Sequence, residues 1–233
     1  MATLAVAAPA GAQAVATATP PKAGGATKLH YAIDGTLDPV TLRIPTALTF
    51  SAPTGFTFDT RALAARCSRE RAVLNECPKG SAMGGGQLVI GVTLPDGSER
   101  DAVFALHPYM STGNRVWMLA YVTGWRVVPG TLVKSAAGLS LVFDPLPVPP
   151  PFPNVGYAFK SITLDVGATR TVKKVVKLKA RARSKKARKR TTKTRYDLIH
   201  APAQCAGSWA ATVDLTFPDG SALPLPAPMP CTP

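Results

Sequence analysis

Short runs of apolar and β-branched residues, separated by turn residues, recur along this chain from about residue 36 to its end. Two of the turns share the sequence Pro-Asp-Gly-Ser, at 95–98 and 218–221, and each lies between two apolar runs. An Asp-Gly pair in that position is a strong signal for a β-hairpin. Many short strands with frequent turns are typical of an all-β sandwich or barrel.

The composition also disfavours long helices. The chain has 23 prolines and 19 glycines among 233 residues, and both residue types interrupt helices. We therefore predict an all-β fold, an antiparallel β-sandwich of immunoglobulin-like or related type, in a single domain over 36–233. Besides the two marked hairpins, strands are expected near 115–122, 125–133, 139–143, 158–166 and 171–179.

One short helical segment is predicted at 59–76, next to the first two cysteines. Asp59 or Thr60 can accept hydrogen bonds from the free amides of a first helical turn. Each half of this segment is too short to be stable alone. We expect a disulfide to hold it against the sheet.

Residues 1–14 are rich in alanine and end in Ala12-Gln13-Ala14, which matches the small-residue cleavage pattern of a secretory signal peptide. The segment carries no positive charge, so we interpret it as the remnant of a signal peptide that starts further upstream. Residues 15–35 are then expected to form a flexible leader. The alternative is a disordered alanine-rich tail.

The chain has four cysteines, an even number that can pair fully in an oxidising compartment. Cys67 and Cys77 are close in sequence, and Cys205 and Cys231 enclose the last hairpin. We predict the disulfides Cys67–Cys77 and Cys205–Cys231, although four cysteines allow three pairings. A zinc site is the alternative, but the chain has no Cys-x-x-Cys or Cys-x-x-His spacing.

The segment 146–153 contains five prolines. It cannot lie in a central strand, because proline has no backbone N–H to donate. We interpret it as a stiff, polyproline-like crossover between two sheets. A proline-rich recognition motif is the alternative.

The positive charge of the chain is concentrated in one segment. Residues 170–195 contain 14 lysines and arginines and no acidic residue, so the other 13 basic residues balance the 13 acidic ones. We predict a long hairpin whose ends belong to the sheet and whose tip is a mobile cationic arm. The residues expected to bind polyanions are Lys177, Lys179, Arg181, Arg183, Lys185, Lys186, Arg188, Lys189, Arg190 and Lys193.

Like charges at this density repel one another, so an anionic partner would be favourable. Anionic cell-wall polymers, acidic lipid headgroups and nucleic acid are the candidates. No aromatic residue lies between Arg170 and Arg195, so the stacking platform of a single-strand binder is missing. A solvated loop without a specific partner is the alternative.

Motifs for catalysis are missing from the sequence. It contains no Gly-x-Ser-x-Gly elbow, no His-Glu-x-x-His and no Walker loop. The run 84–86 of three glycines is interpreted as a flexible entry into the next strand rather than a phosphate cradle. A triad using Ser81 or Ser208 stays open, because triad members need not be neighbours in sequence. The scattered acids are more typical of turns than of a catalytic pair, and they are Asp34, Asp38, Asp101 and Asp144.

Four features resemble a group of uncharacterised exported proteins of high-GC Gram-positive bacteria. They are Arg66-Cys67, the run Cys77-Pro78-Lys79-Gly80-Ser81 with the glycines after it, the proline-rich segment before 158–164, and the closing hairpin from Gly207-Ser208-Trp209 to Pro230-Cys231. The resemblance spans most of the chain and implies an exported all-β fold. It implies no activity.

We therefore expect a non-enzymatic protein, secreted or located in the cell envelope, with no cofactor and no metal. Its basic hairpin is expected to bind an anionic polymer. An envelope-acting hydrolase and a purely structural surface protein are the alternatives. No stretch beyond the N-terminal one approaches the about 20 consecutive apolar residues that span a bilayer. The sequence does not indicate an oligomeric state.

Overall fold

A computed structural model describes residues 12–34, 44–121, 125–136, 138–146, 155–178 and 188–233. The strands are β1 (Gln13–Thr19), β2 (Ala26–Asp34), β3 (Ala47–Pro53), β4 (Thr57–Phe58), β5 (Gly84–Thr93), β6 (Glu99–Met110), β7 (Arg115–Tyr121), β8 (Trp125–Ser135), β9 (Gly138–Phe143), β10 (Gly156–Val166), β11 (Thr169–Leu178), β12 (Arg188–Asp197), β13 (Ile199–His200), β14 (Ser208–Thr216) and β15 (Ala222–Pro230). Only one short α-helix is described, α1 (Arg69–Val73). The predicted all-β fold with one short helix near the first cysteine pair is confirmed.

The main sheet is antiparallel and follows the order β15-β14-β3-β9-β8-β7-β6-β5-β10-β2, with β1 also paired to β2. The short strands β13 and β4 extend it beyond β2. The predicted strands at 115–122, 125–133, 139–143 and 158–166 correspond to β7 to β10. The predicted crossover 146–153 lies outside the described residues except for Leu146, whose N–H donates to Thr46.

The sheet folds over itself into two layers around one core. Tyr31 on β2 and Phe50 on β3 lie far apart in the strand order, yet their ring centroids are 5.4 Å apart. Phe50 also contacts Phe143 of β9 edge to face, with centroids 6.4 Å apart. Because β1 lies beside β15, the two ends of the sheet also meet. This arrangement is the predicted antiparallel sandwich.

The two Pro-Asp-Gly-Ser turns have the same structure. Gly97 and Gly220 have φ angles of +80° and +79°, in the left-handed region that favours glycine. In each turn the aspartate side chain accepts from the N–H and hydroxyl of the following serine, as Asp96 does from Ser98. The predicted hairpins β5–β6 and β14–β15 are confirmed.

Alternate residues of β15 are prolines, namely Pro224, Pro226, Pro228 and Pro230. They are exposed, whereas Leu225, Ala227 and Met229 between them are buried. Only the residues between the prolines can donate to β14, so the side of β15 that faces away from β14 presents carbonyls without N–H groups over this stretch. Strand β1 lies beside β15, but the prolines offer it no N–H groups.

The expected flexible leader at 15–35 is wrong. This segment contains most of β1 and all of β2, and Ala16 and Ile33 are fully buried. Residues 13–19 pair with 28–34, so the small alanine side chains of β1 fill positions against the core. The first strand begins at Gln13, two residues before the predicted cleavage point, while residues 1–11 lie outside the described part.

The helical segment is shorter than the predicted 59–76. It consists of a 3-10 turn at Thr60–Ala62 and the helix α1. Asp59 caps the first by accepting from the Arg61 N–H, and Ser68 caps the second. Extended backbone at Leu63 separates the two, because neither half has enough residues to propagate a helix.

Both predicted disulfides, Cys67–Cys77 and Cys205–Cys231, are confirmed, so the described cysteines leave no thiolate for zinc. The first bridge lies on the outer face of the sheet, where Cys67 packs with Ala72 of α1 and with Trp117 and Leu119 of β7. The second encloses the β14–β15 hairpin. The first bridge holds the short helix on the sheet, as expected.

Candidate polyanion-binding ribbon

The predicted basic hairpin exists as a two-stranded sheet made of β11 and β12. The strands pair antiparallel over ten positions, from Thr169 opposite Asp197 to Leu178 opposite Arg188. We call this pair of strands the basic ribbon. Neither strand pairs with any other described strand, so the expectation that the ends belong to the main sheet is wrong. Gly167 and Ala168 lie between the end of β10 and the start of the ribbon.

Backbone hydrogen bonds join the base of the ribbon to the body of the protein. The Gly167 N–H donates to Met83 at 2.7 Å, and the Leu198 N–H donates to Ala168 at 2.8 Å. The Leu198 carbonyl accepts from Asp59 at 2.8 Å. Leu198 itself is fully buried. The ribbon therefore projects from a fixed base.

Two arginine–aspartate pairs stabilise this base. The Arg61 guanidinium lies 5.0 Å above the ring of Tyr196 and pairs with Asp59, with Nη2 and Oδ2 2.8 Å apart. Arg195 pairs with Asp197, with Nη2 and Oδ1 2.9 Å apart. Hydrogen bonds from Arg61 lower the pKa of Asp59. Both arginines are thus already neutralised by a carboxylate.

The carboxyl of Asp197 also has a lowered pKa. Burial alone would raise this pKa, but hydrogen bonds from Arg195 and Thr169 outweigh the burial. The ionised form therefore stabilises the base of the ribbon.

We expect Asp197→Asn to destabilise the protein at neutral pH. The pKa of Asp197 in the folded protein lies below its usual value of 3.8. The stabilisation of the fold by the ionised carboxylate is therefore present above pH 3.8 and is lost as the pH falls through the lowered pKa. The stability difference between wild type and variant should therefore shrink below about pH 4. Urea denaturation at neutral and acidic pH measures this difference. An equal difference at both pH values would contradict the role of the charge.

Lysines lie directly opposite each other across the ribbon. Lys173 pairs in register with Lys193, and Lys177 with Lys189. The side chains of Lys173 and Lys193 are exposed. Directly opposed like charges destabilise a strand pair. This register therefore works against the stability of the isolated ribbon.

Cations occupy both faces of the ribbon. Since side chains alternate between faces, Lys173 and Lys193 share one face, while Arg170, Lys174 and Arg190 share the other. All five side chains are exposed. The exposed valines are also divided, with Val175 on the first face and Val176 on the second. Neither face is apolar.

The predicted binding residues are only partly described. Arg190 and Lys193 are exposed on β12, as a binding role requires. The backbone of Lys177, Arg188 and Lys189 belongs to the ribbon, but their side chains are not described. The residues outside the described part are Lys179, Arg181, Arg183, Lys185 and Lys186.

The list of candidates based on sequence omitted Arg170, Lys173 and Lys174, which lie on β11. Side chains two residues apart share a face of a strand, so Lys173 lies on the same face as Lys177. Extending that alternation upstream from Lys177 could have identified Lys173. The position of Lys193 opposite Lys173 depends on the hairpin register, which the sequence did not specify.

The candidates for catalysis are not brought together. The Ser81 hydroxyl is buried and donates to the Pro78 carbonyl at 2.6 Å, whereas Ser208 is exposed at the start of β14. A histidine–carboxylate contact that sequence reasoning missed joins His30 Nδ1 and Asp165 Oδ1, which are 2.8 Å apart. It joins opposite residues of β2 and β10.

The scattered acids have separate surroundings. Asp101 forms an ion pair with Lys160, and Asp34 ends β2. Asp144 follows β9, and Asp38 lies outside the described residues. In the described part of the chain, no three histidine, cysteine or acidic side chains are grouped as metal ligands would be. The same part contains no helix long and apolar enough to cross a membrane.

The glycine run 84–86 is part of β5 rather than a flexible entry or a phosphate cradle. Each of the three residues pairs with a residue of β10, from Leu164 opposite Gly86 to Val166 opposite Gly84. A Cβ atom on Gly84 would lie 1.9 Å from the Asp165 carbonyl oxygen. Gly84 and Gly86 therefore permit the close approach of β5 and β10.

A surface groove lies away from the ribbon, beside the Cys205–Cys231 bridge. Its lining includes Pro53, Pro202, Gln204 and Trp209. None of the lining side chains is charged. Trp209 is itself 6% exposed, and its indole N–H donates to the Gln204 carbonyl.

Comparison of the chain with protein-family models, with curated proteins and with solved structures found no match. The interpretation of the basic ribbon consequently depends on its geometry and charge.

Proposed function

We propose that this protein is a non-enzymatic protein of the extracellular space or cell envelope, and that its basic ribbon binds anionic polymers. The observation that carries this proposal is the pairing of like charges, with Lys173 directly opposite Lys193 and no acid between residues 170 and 195 to offset them.

A polyanion would remove the repulsion within the ribbon. The five exposed cations described on its two faces have no described carboxylate partner, in contrast to Arg61 and Arg195 at its base. Bound anions would lie between these cations and lower the electrostatic cost of holding them together. The affinity would depend strongly on salt, because binding releases counterions from the polymer.

Lys173→Glu should separate binding from stability. An opposite-charge pair with Lys193 would replace a like-charge pair, which raises the free energy of unfolding by up to about 1 kcal/mol. The same change should weaken polyanion binding, since it removes one cation and adds an anion. Thermal denaturation and titration with inorganic polyphosphate measure the two effects.

Arg115→Glu is the matched control, because Arg115 is an exposed cation on β7 outside the ribbon. It makes the same change in net charge and should leave polyphosphate affinity close to that of wild type. If Lys173→Glu and Arg115→Glu weaken binding equally, net charge accounts for binding and the ribbon has no special role. Binding that persists unchanged in molar salt would also contradict the proposal.

Export is supported by the two disulfides, because such bonds persist mainly in oxidising compartments. The resemblance to exported proteins of high-GC Gram-positive bacteria and the signal peptide remnant stay predictions. A test is to express the chain behind a complete signal peptide and to compare medium and cells. Thiol labelling of the native protein after expression in its own host should find no free cysteine, and four reactive thiols would contradict export.

A further inference from the structure

We propose that the polymer bound by the basic ribbon is double-stranded nucleic acid, with the ribbon in the major groove and cations from both faces directed at the phosphates of both strands. This inference depends on the proposed polyanion-binding function. It goes beyond it by naming the class of polymer and the geometry of the complex.

The dimensions of the ribbon suit such a groove. Each strand contributes ten residues, which at about 3.3 Å per residue gives a length of roughly 33 Å. Two paired strands can enter the major groove of a duplex, which is about 12 Å wide. Because β11 and β12 pair only with each other among the described strands, no third strand widens the ribbon.

The placement of charge on both faces distinguishes a groove from a flat surface. Lys173 and Lys193 project from one face, and Lys174 and Arg190 from the other. A membrane surface can contact only one face at a time, whereas a groove has a phosphate wall on each side. The exposed Val175 and Val176 are also on opposite faces, so the ribbon lacks the single apolar face that interfacial binding to lipid requires.

The absence of aromatic residues favours a duplex over a single strand. No phenylalanine, tyrosine or tryptophan occurs between residues 170 and 195. Tyr196 at the base of the ribbon is covered by the Arg61 guanidinium. Proteins that bind single strands stack bases on aromatic rings, and the described ribbon has no free ring for this. Contacts to phosphates need no such platform.

The test compares ligands of equal phosphate content by fluorescence anisotropy. These ligands are a duplex DNA of about 24 base pairs, single-stranded DNA and inorganic polyphosphate, each titrated with the full chain at several salt concentrations. We expect the duplex to bind at least about fivefold more tightly than the other two. We also expect the bound ribbon to protect guanine N7, which faces the major groove, from methylation.

The variant Lys173→Gln/Lys174→Gln/Arg190→Gln/Lys193→Gln removes two cations from each face. Its affinity for the duplex should fall at least about tenfold, and the slope of log K against log salt should decrease in magnitude by about 3.6, or 0.9 per lost phosphate contact. The matched control removes four exposed cations elsewhere, in Arg69→Gln/Arg71→Gln/Arg100→Gln/Arg115→Gln. The control should bind the duplex like wild type.

The outcomes separate this inference from the broader function. If polyphosphate and single strands bind as tightly as the duplex and the ribbon variant loses all three, the duplex assignment is wrong and polyanion binding stands. Binding of the duplex without N7 protection, or binding only to vesicles of anionic phospholipid, would also overturn the assignment. If the ribbon variant binds every polymer as wild type does, both proposals fail.

Discussion

Removing the Cys205–Cys231 bridge is expected to lower the free energy of unfolding by about 3.5 kcal/mol, and removing the Cys67–Cys77 bridge by about 2.7 kcal/mol. The Cys205–Cys231 bridge has a sequence separation of 26 residues, and the Cys67–Cys77 bridge one of 10. A longer closed loop restricts the unfolded chain more, so its loss costs more. The double variants Cys205→Ala/Cys231→Ala and Cys67→Ala/Cys77→Ala, compared by urea denaturation, measure the two effects.

The shorter bridge should also have a local effect that the longer one lacks. Cys67 is fully buried with Ala72 against Trp117 and Leu119, so loss of the bridge frees α1 from the outer face of the sheet. Hydrogen exchange in 66–77 should therefore increase more in Cys67→Ala/Cys77→Ala than in the other variant. If neither double variant differs in stability from the oxidised wild type, the bridges do not form in the protein, and the argument for export fails with them.

Gly84→Ala should destabilise the protein by about 1–3 kcal/mol, because the added Cβ overlaps backbone atoms of β10. The Cβ would lie 1.9 Å from the Asp165 carbonyl oxygen and 2.7 Å from its carbonyl carbon. A paired backbone cannot rotate away as a flexible side chain can. The two strands must therefore separate at this point, which weakens hydrogen bonds near the base of the ribbon.

Gly85→Ala is the control for this substitution. Its Cβ would lie 3.7 Å from the Leu106 carbonyl oxygen, an ordinary contact distance. Alanine also loses less conformational entropy on folding than glycine, so this variant should be as stable as wild type or slightly more stable. Thermal and urea denaturation of both variants check the difference. Equal stabilities would show that β5 and β10 are not as close as described.

Much of the fold could be predicted from the sequence because its signals are local. The Pro-Asp-Gly-Ser turns determine two hairpins through residues next to one another, and the apolar runs between turns predicted β7 to β10 to within a few residues. Short separations also favoured the observed disulfide pairing among three possible ones, since Cys67 is close to Cys77 and Cys205 to Cys231 across one hairpin.

The first two strands could not be predicted, because their signal depends on distant partners. The alanines of β1 look like a flexible or exported leader when only their composition is considered. Ala16 is nevertheless fully buried between β2 and the rest of the core. Small side chains fill a space that other strands create, and no local pattern describes that space.

For the candidate site, the sequence showed where the charge lies but not how it is arranged. The 14 cations within 170–195 are evident from composition alone. The register that places Lys173 opposite Lys193, and the separation of the ribbon from the main sheet, depend on tertiary structure. A shift of one residue would move every side chain of one strand to the other face.

The amino-acid sequence by itself determined the all-β class, the two hairpin turns and the cationic segment, because each depends on residues near one another in the chain or on composition. It favoured the two observed disulfides among three possible pairings, and the structure decided between them. Only the tertiary structure decided the strand order, the inclusion of β1 and β2 in the core and the two-faced charge of the ribbon. These properties arise from pairings between distant residues, and such pairings form only when the whole sheet closes around its core.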